Sequence, residues 1–232
     1  HVSSNQEVEG RRPLKVRQAG FSKRIAAWLA GKSITPNQIS IASVVFSALS
    51  AICISAYPFA YEYAAAGSVF IPNTLLVLTA LFIQCRLLCN LFDGMVAVEG
   101  GKSTPSGELF NDIPDRVADS FIFIALGFHL SAFFPYAMHL GWAAALLAVF
   151  TAYVRTLATS IGSKSDFRGP MAKQHRMALV TLASIATIWE HLWFPQGSIL
   201  LATLIVIVLG CVITIVRRAR AAYVFLESST ES

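Results

Sequence analysis

The residues best suited to chemistry lie in two short polar clusters within residues 90–119, with apolar runs leading in and out. Asn90, Asp93 and Ala97 are spaced by three and four residues, which places them on one face of a helix. Steps of four place a second set on one helical face: Gly107, Asn111, Asp115 and Asp119. Carboxylate and amide oxygens, with no histidine among them, suit Mg²⁺ or Mn²⁺. Because charged side chains at the edge of a hydrocarbon core are rare and usually functional, the clusters predict a metal-binding site.

The segment between the clusters predicts a turn that brings them together. Gly100 and Gly101, followed by Pro105 and Ser106, indicate a break between two antiparallel helices. Gly94 and Gly107 lack side chains, so a bulky group can approach the backbone there. Polar side chains can also simply hold membrane helices together. That alternative explains an asparagine better than it explains the aspartates of the two clusters: Asp93, Asp112, Asp115 and Asp119.

The two clusters resemble the signature of the CDP-alcohol phosphotransferase family. That signature reads Asp, two residues, Asp-Gly, two residues, Ala-Arg, eight or nine residues, Gly, three residues, Asp, three residues, Asp. The chain agrees, with every spacing kept, at Asp93, Gly94, Ala97, Gly107 and Asp115. It departs from the signature where Asn90 and Asn111 replace aspartates and where Val98 replaces the arginine.

The resemblance implies a six-helix, all-α membrane enzyme, usually a homodimer, that transfers a substituted phosphoryl group from a CDP-linked donor to an alcohol and releases CMP. It implies metal ligands at Asn90, Asp93, Asn111 and Asp115, with Asp115 also accepting the proton of the acceptor alcohol. It implies that the nucleotide binds near Asn90, Gly94, Ala97 and Gly107. CDP-diacylglycerol is the donor we expect, since the helices end where a lipid donor's headgroup would lie.

A second group of residues is basic. Arg86 and Arg155 fall within predicted spans, where an arginine rarely faces lipid. Arg155, Lys173 and Arg176 lie near the same ends of two spans, and a phosphate is the natural partner for such a group. The family resemblance places the acceptor pocket here, so we expect a phosphorylated acceptor such as glycerol phosphate or inositol phosphate. The alternative, that basic residues only follow the charge rule for membrane loops, is adopted for Lys164 and Arg168.

The sequence leaves three other functions open. The asparagines favour a catalytically weak relative that binds nucleotide or lipid without turnover. A second branch of the family transfers a phosphoalcohol from a CDP-alcohol to diacylglycerol, but its acceptor carries no phosphate and leaves the basic cluster unexplained. A transporter with an intramembrane acidic site would need a continuous polar path, and the far halves of the spans are apolar.

The composition predicts a one-domain polytopic membrane protein, because 55% of the 232 residues are hydrophobic and only 13% are charged. Thr35 is suited to cap the first span and Pro36 to its first turn. The predicted spans are residues 33–57, 73–98, 107–132, 136–161, 172–192 and 197–217. Together they form a catalytic domain over residues 33–220, followed by a tail over 221–232. The four cysteines lie in apolar runs and are expected to be small buried side chains without a disulfide framework.

Residues 1–32 predict a polar segment followed by an amphipathic helix on the membrane surface. Basic residues alternate there with apolar ones, among them Leu14, Phe21 and Trp28. A solvated basic segment is the alternative, but it leaves the aromatic side chains without a partner. The stretch is too polar and basic for a cleavable signal peptide.

The distribution of lysine and arginine predicts the orientation. The loops near Tyr61, Phe134 and Trp193 contain neither residue, whereas the opposite loops and both ends of the chain are basic. We therefore expect an integral protein of the bacterial inner (plasma) membrane, with both termini and the candidate site cytoplasmic. The net charge of +5 is explained by anionic lipid headgroups and does not require a nucleic-acid partner.

Overall fold

The computed structural model describes residues 20–64, 68–164 and 169–230. Within these ranges the chain is helical and contains no strand, so the prediction of an all-α protein is confirmed. The helices are α1 (Gly20–Gly31), α2 (Pro36–Tyr63), α3 (Phe70–Glu99), α4 (Gly107–Ser131), α5 (Ala137–Ser160), α6 (Lys173–Ala186) and α7 (Ser198–Ser229). A 3₁₀ helix, Thr187–Leu192, continues α6.

Four of the helices, α2, α3, α5 and α7, are long and apolar enough to cross a membrane. Their outward faces carry large apolar side chains such as Ile52, Leu146 and Leu209. The prediction of a membrane protein therefore fits the structure. The other two predicted spans correspond to α4, which carries five charged residues between positions 108 and 119, and to α6 with its 3₁₀ extension.

The first long helix begins as the sequence predicts. Thr35 is the N-cap of α2, its side chain accepts a hydrogen bond from the Gln38 N–H, and the Gln38 side chain accepts one from the Thr35 N–H. This reciprocal capping box satisfies two of the donors that a helix start leaves free, and Pro36 fills a position where no donor is needed. The predicted break over residues 100–106 is also present, between α3 and α4.

Helix α1 lies inside the predicted amphipathic segment. Ser22 and Ala26 are buried, whereas Phe21 and Trp28 are exposed. Arg11, Arg12, Leu14, Lys15 and Arg17 lie outside the described residues. Contact with the membrane surface therefore stays a prediction for this helix.

The bundle is organised around α2, which packs extensively against both α3 and α4, while direct contact between α3 and α4 is limited. Helix α5 packs on α4 and α7, and α6 packs on α3. The α4 and α5 backbones nearly touch at Gly127 and Gly141, where a Cβ on Gly127 would lie 2.8 Å from the Gly141 Cα. The four cysteines are free thiols; Cys53 and Cys211 are buried and the other two half-buried.

The two ends of the bundle differ in composition. At one end, the C-terminal part of α2 meets the segments that follow α4 and the 3₁₀ helix. Tyr61 contacts the Phe133 ring, and Gln196 Nε2 donates to the Tyr57 hydroxyl at 2.7 Å. We call this the aromatic end because exposed aromatic side chains surround it: Phe59, Tyr61, Tyr63, Tyr136, Trp189, Trp193 and Phe194. The opposite end, where the C-terminus of α3 meets the N-termini of α2, α4 and α6, contains both polar clusters and is called the site end.

Candidate active site

The α3 half of the site centres on Asp93, whose side chain is buried. Ser40 on α2 donates a hydrogen bond from Oγ to Asp93 Oδ2 at 2.6 Å. Asp93 Oδ1 has no hydrogen-bond partner among the residues that the structure describes. Asn90, one turn earlier, is half-buried, and its Nδ2 is likewise a buried atom without a partner there. Buried polar atoms without partners are uncommon in proteins and indicate a place where a ligand or ion can bind.

The α4 half centres on Asp115, which is buried and surrounded by cations. Lys173 Nζ of α6 lies 2.5 Å from Asp115 Oδ2, and Arg116 lies 3.6 Å from the same oxygen. An amino group of Arg86, on α3, lies 3.7 Å from Asp115 Oδ1. At that distance Arg86 neutralises charge without forming a hydrogen bond, so Oδ1 remains without a hydrogen-bond partner in the described part of the chain.

Asp119, one turn deeper, is fully buried between two arginines. Its Oδ1 lies 2.7 Å from Arg86 and its Oδ2 lies 2.8 Å from Arg176. The first contact is an ion pair without hydrogen-bond alignment, whereas Arg176 donates a hydrogen bond. Because each oxygen already faces a guanidinium, Asp119 is a structural partner of the arginines and is poorly placed to bind a metal.

Arg86 joins the two halves of the site. It is a fully buried side chain of α3, and it donates to the Asp115 carbonyl at 3.3 Å and to Met177 Sδ at 3.2 Å in addition to its carboxylate contacts. It therefore links α3 to α4 and α6 where the helices themselves have little direct contact. The sequence indicated that Arg86 is buried, but it did not indicate this bridging role.

The remaining basic residues are also paired. Arg155 on α5 donates to Asp112 Oδ1 at 2.9 Å, and Arg116 lies 3.6 Å from the same oxygen. Asp112, which had no role in the sequence analysis, is thus the partner of these two arginines. Arg176 also donates to the Met171 carbonyl at 2.7 Å, and its side chain is buried.

Some of the predicted site residues are buried close together, and others lie at the less covered start of α4. Asp93, Asp115 and Lys173 are close enough for their charges to interact, so the structure brings these three together. Gly94 and Ala97 are buried on α3 near them, whereas Asn111 is exposed. A Cβ on Gly107 would meet only Thr104 Oγ1, at an ordinary 3.6 Å, so packing within the chain does not require glycine there.

One functional candidate was missed by the sequence analysis. Ser40 orients Asp93 but was not singled out. A signal was available, because the buried serines of α2 recur every three or four residues on one face: Ser40, Ser43, Ser47 and Ser50. Only the packing of α2 against α3 shows which of these serines faces the site.

The donor set fits a hard divalent cation with few protein ligands. Open oxygens occur on Asp93 and Asp115, and the Asn90 amide can turn its oxygen toward the same space, since amide orientation is an assignment. Over the described ranges, no three side chains of His, Cys, Asp or Glu group as metal ligands. Mg²⁺ is commonly bound by one or two carboxylates together with substrate phosphates, which matches this arrangement.

Comparison with known proteins agrees with the architecture. The fold is that of a polytopic α-helical membrane protein with an acidic and basic cluster at one end. More narrowly, it resembles Mycobacterium tuberculosis phosphatidylinositol phosphate synthase (PgsA1) solved with CDP-DAG bound, at 20% identity and a TM-score of 0.69, over 88% of this chain and 94% of that one. The same synthase in complex with manganese and citrate gives 20% identity and a TM-score of 0.68, over 87% of this chain and 88% of that one. No protein-family model and no curated protein matches the sequence.

Proposed function

We propose that the protein transfers a phosphatidyl group from CDP-diacylglycerol to an alcohol acceptor and releases CMP. The observation that carries the proposal is the pairing of Asp93 and Asp115 at one end of the bundle, each buried and each with an oxygen that lacks a hydrogen-bond partner in the described residues. These residues also carry the family resemblance, and the similar PgsA1 structure was solved with CDP-DAG bound.

The site residues have three roles in this proposal: binding the metal, accepting the proton and binding the nucleotide. Asn90, Asp93, Asn111 and Asp115 hold Mg²⁺ or Mn²⁺, which when bound offsets the negative charge of the donor's pyrophosphate. Asp115 accepts the proton of the acceptor hydroxyl. The nucleotide occupies the space beside Asn90, Gly94, Ala97 and Gly107, and the open surroundings of Gly107 support this placement.

The acceptor is proposed to be a phosphorylated alcohol, such as glycerol phosphate or inositol phosphate, bound by Arg155, Lys173 and Arg176. Lys173 lies at the site end against Asp115 and Arg155 against Asp112, which supports a direct contact of both cations with the phosphate. Arg176 is engaged by Asp119 and Met171, so it contributes mainly through its charge. Arg155→Ala should therefore raise the KM of the acceptor much more than that of the donor.

The membrane arrangement completes the proposal. Helix α4 turns Asp115 and Asp119 inward and Leu109, Ile113 and Phe121 outward, which supports a span in spite of its charge. With α6 and its 3₁₀ extension this gives six spans over residues 33–220, α1 on the membrane surface, and a cytoplasmic site and termini in the bacterial inner membrane. The functional unit is proposed to be a homodimer.

The decisive experiment measures CMP release by the purified protein in detergent. CDP-diacylglycerol is supplied with Mg²⁺ or Mn²⁺ and a panel of phosphorylated and neutral alcohols, and the lipid product is identified by mass. A parallel reaction with a CDP-alcohol and diacylglycerol tests the other branch of the family. We expect transfer to a phosphorylated acceptor that stops in excess chelator and in Asp93→Asn; transfer that continues in either condition contradicts the metal-dependent mechanism.

A catalytically weak relative is the second candidate, because Asn90 and Asn111 stand where the signature has aspartates. The two candidates differ in their response to restoring both carboxylates. If the asparagines are functional ligands, Asn90→Asp with Asn111→Asp changes the metal dependence of an enzyme that is already active. If the site has lost activity, the wild type binds donor without releasing CMP and the double variant gains release.

A further inference from the structure

We propose that the site is built for one divalent cation, held by Asp93 and Asn90 on α3, and that the Lys173 ammonium takes the place of a second cation at Asp115. This inference rests on the proposed function and narrows its metal ligands to Asp93 and Asn90, so that Asp115 keeps its role as the base and Asn111 binds no metal. It follows from a difference in surroundings between Asp93 and Asp115, two carboxylates that the sequence pattern treats as equivalent metal ligands.

The surroundings of Asp93 suit a cation from outside the chain. Its side-chain partner in the described structure is the neutral hydroxyl of Ser40, and none of the described lysines or arginines lies within ion-pair distance of it. Its Oδ1 is buried without a hydrogen-bond partner in that part of the chain. A buried carboxylate without a counter-ion is strongly destabilising, so the fold leaves this charge to be compensated by something it binds.

Asp115, in contrast, is already surrounded by cations of the protein itself. One of its oxygens lies 2.5 Å from Lys173 Nζ and 3.6 Å from Arg116, and the other lies 3.7 Å from Arg86. A divalent cation on Oδ2 would have to displace the ammonium, and one on the open Oδ1 would lie beside the Arg86 guanidinium. The repulsion between like charges at such distances disfavours a second ion here.

The residues around the two aspartates increase the difference in charge between the α3 and α4 halves of the site. Asp115 and Asp119 together contact four cationic side chains, so the α4 half of the site is positively charged before any metal binds: Arg86, Arg116, Lys173 and Arg176. Asn111, on the same helix, is neutral and exposed, and adds no carboxylate. Asn90 offers an amide oxygen one turn from Asp93, where one more neutral ligand can complete a single site.

Lys173 is well placed to act as a fixed cation. It is the first residue of α6, and its charge reaches Asp93 as well as Asp115. With one ion on Asp93, the site presents a metal and an ammonium side by side. Phosphate oxygens are recognised by both kinds of charge.

The test counts bound Mn²⁺ by electron paramagnetic resonance during titration of the detergent-purified protein with Mn²⁺ alone. We expect one tightly bound ion per chain in the wild type, none in Asp93→Asn, and one in Asp115→Asn with an affinity within about threefold of wild type. Lys173→Met, which keeps the length of the side chain and removes its charge, should expose Asp115 and admit a second, weaker ion. Lys102→Met is the matched control, because Lys102 contacts only main-chain oxygens, those of Lys32 and Ile34, in the described residues.

Each other outcome overturns a defined part of the proposal. Two ions in the wild type, or loss of the ion in Asp115→Asn, refutes the single site on α3. One ion in Lys173→Met refutes the role of the ammonium, and Lys173→Gln repeats this arm if the methionine variant does not fold. No ion in the wild type refutes metal binding itself and so the proposed function too, whereas a count of two leaves that function standing, with CMP release intact.

Discussion

Buried polar side chains at the aromatic end of the bundle mostly bind the main chain or each other, with His129 Nε2 an exception, whereas most of the buried side-chain atoms without a partner in the described residues lie at the site end. At the aromatic end, Glu190 is fully buried and accepts from the N–H groups of Gly197 and Ile199 at 2.6 and 2.7 Å. These are donors of the first turn of α7, which a helix cannot satisfy by itself. A carboxylate is also favoured there by the helix dipole.

His129 has a similar structural role at the aromatic end. Pro58 lies inside α2 and has no N–H, so the carbonyl of Ile54, four residues earlier, loses its helical partner. Nδ1 of the buried His129 lies 2.9 Å from that carbonyl oxygen. Because a carbonyl only accepts, Nδ1 must carry the proton, and the imidazole takes over the donor that proline removed.

The contrast shows how a polar group buried for stability differs from one buried for function. At the aromatic end, both Glu190 oxygens are occupied by main-chain donors. At the site end, Asp93 is oriented through one oxygen by Ser40 and its other oxygen stays open within the described structure. Four predictions test this distinction.

The largest effect is expected from Asp115→Asn at the site end. Removal of a general base typically costs about two to four decades of rate, and the amide cannot accept the acceptor's proton. CMP release should fall by that amount while binding of CDP-diacylglycerol stays close to normal. If donor binding falls in step with turnover, Asp115 acts chiefly on the donor and the base lies elsewhere.

Ser40→Ala should weaken Mn²⁺ binding by about 10- to 100-fold, the usual cost of removing a group that orients a metal ligand. Ser43→Ala is the matched control, because Ser43 lies on the same buried face but donates only to the Ser40 carbonyl. Ser40→Thr, which keeps the hydroxyl, should restore much of the affinity. Equal effects of the two alanine variants would show that Ser40 only fills space.

Glu190→Gln at the aromatic end should lower stability without changing chemistry. The amide keeps one acceptor but turns an N–H₂ group toward the second helix donor, and an unsatisfied buried donor costs about 1–3 kcal/mol. The melting temperature in detergent should fall, and turnover per folded molecule should not. Glu62→Gln, an exposed acid at the same end, should change neither quantity.

The smallest effect is a coupling between Pro58 and His129. His129→Leu leaves the Ile54 carbonyl without a donor, whereas in a Pro58→Ala background the new alanine N–H can satisfy it. The histidine substitution should therefore cost about 1 kcal/mol less in that background, the net value of one hydrogen bond. Additive effects on unfolding would show that His129 stabilises the helix pair by packing alone.

The local features of the fold could be predicted from the sequence, because neighbouring residues determine them. Thr35 and Pro36 start α2 through bonds within one turn, and the glycines near position 100 end α3. The spacing of Asp115 and Asp119 correctly indicated one inward face. Asn111 follows the same spacing but is exposed, because α4 begins only at Gly107 and its first turns are not covered by other helices.

The pairing of charges could not be predicted, because it joins residues far apart in sequence. Lys173 meets Asp115 across 58 positions, and Ser40 meets Asp93 across 53. The sequence grouped Arg155, Lys173 and Arg176 as one phosphate-binding set, whereas the structure pairs each with a different carboxylate. Such assignments depend on how α2, α3 and α6 pack, which helical periodicity does not determine.

The contact between Gly127 and Gly141 sets how α4 is tilted against α5. A single methyl group on either residue would meet the opposing backbone at less than the closest approach of real side chains, so the two helices would have to part. Asp115 lies on the same rod about 18 Å away, at 1.5 Å per residue. A small change in the tilt of α4 at the Gly127–Gly141 contact would therefore move the Asp115 carboxylate relative to Asp93, which lies on α3. The alignment of the two acids is thus controlled in part from the far end of the molecule, by two residues that have no side chain.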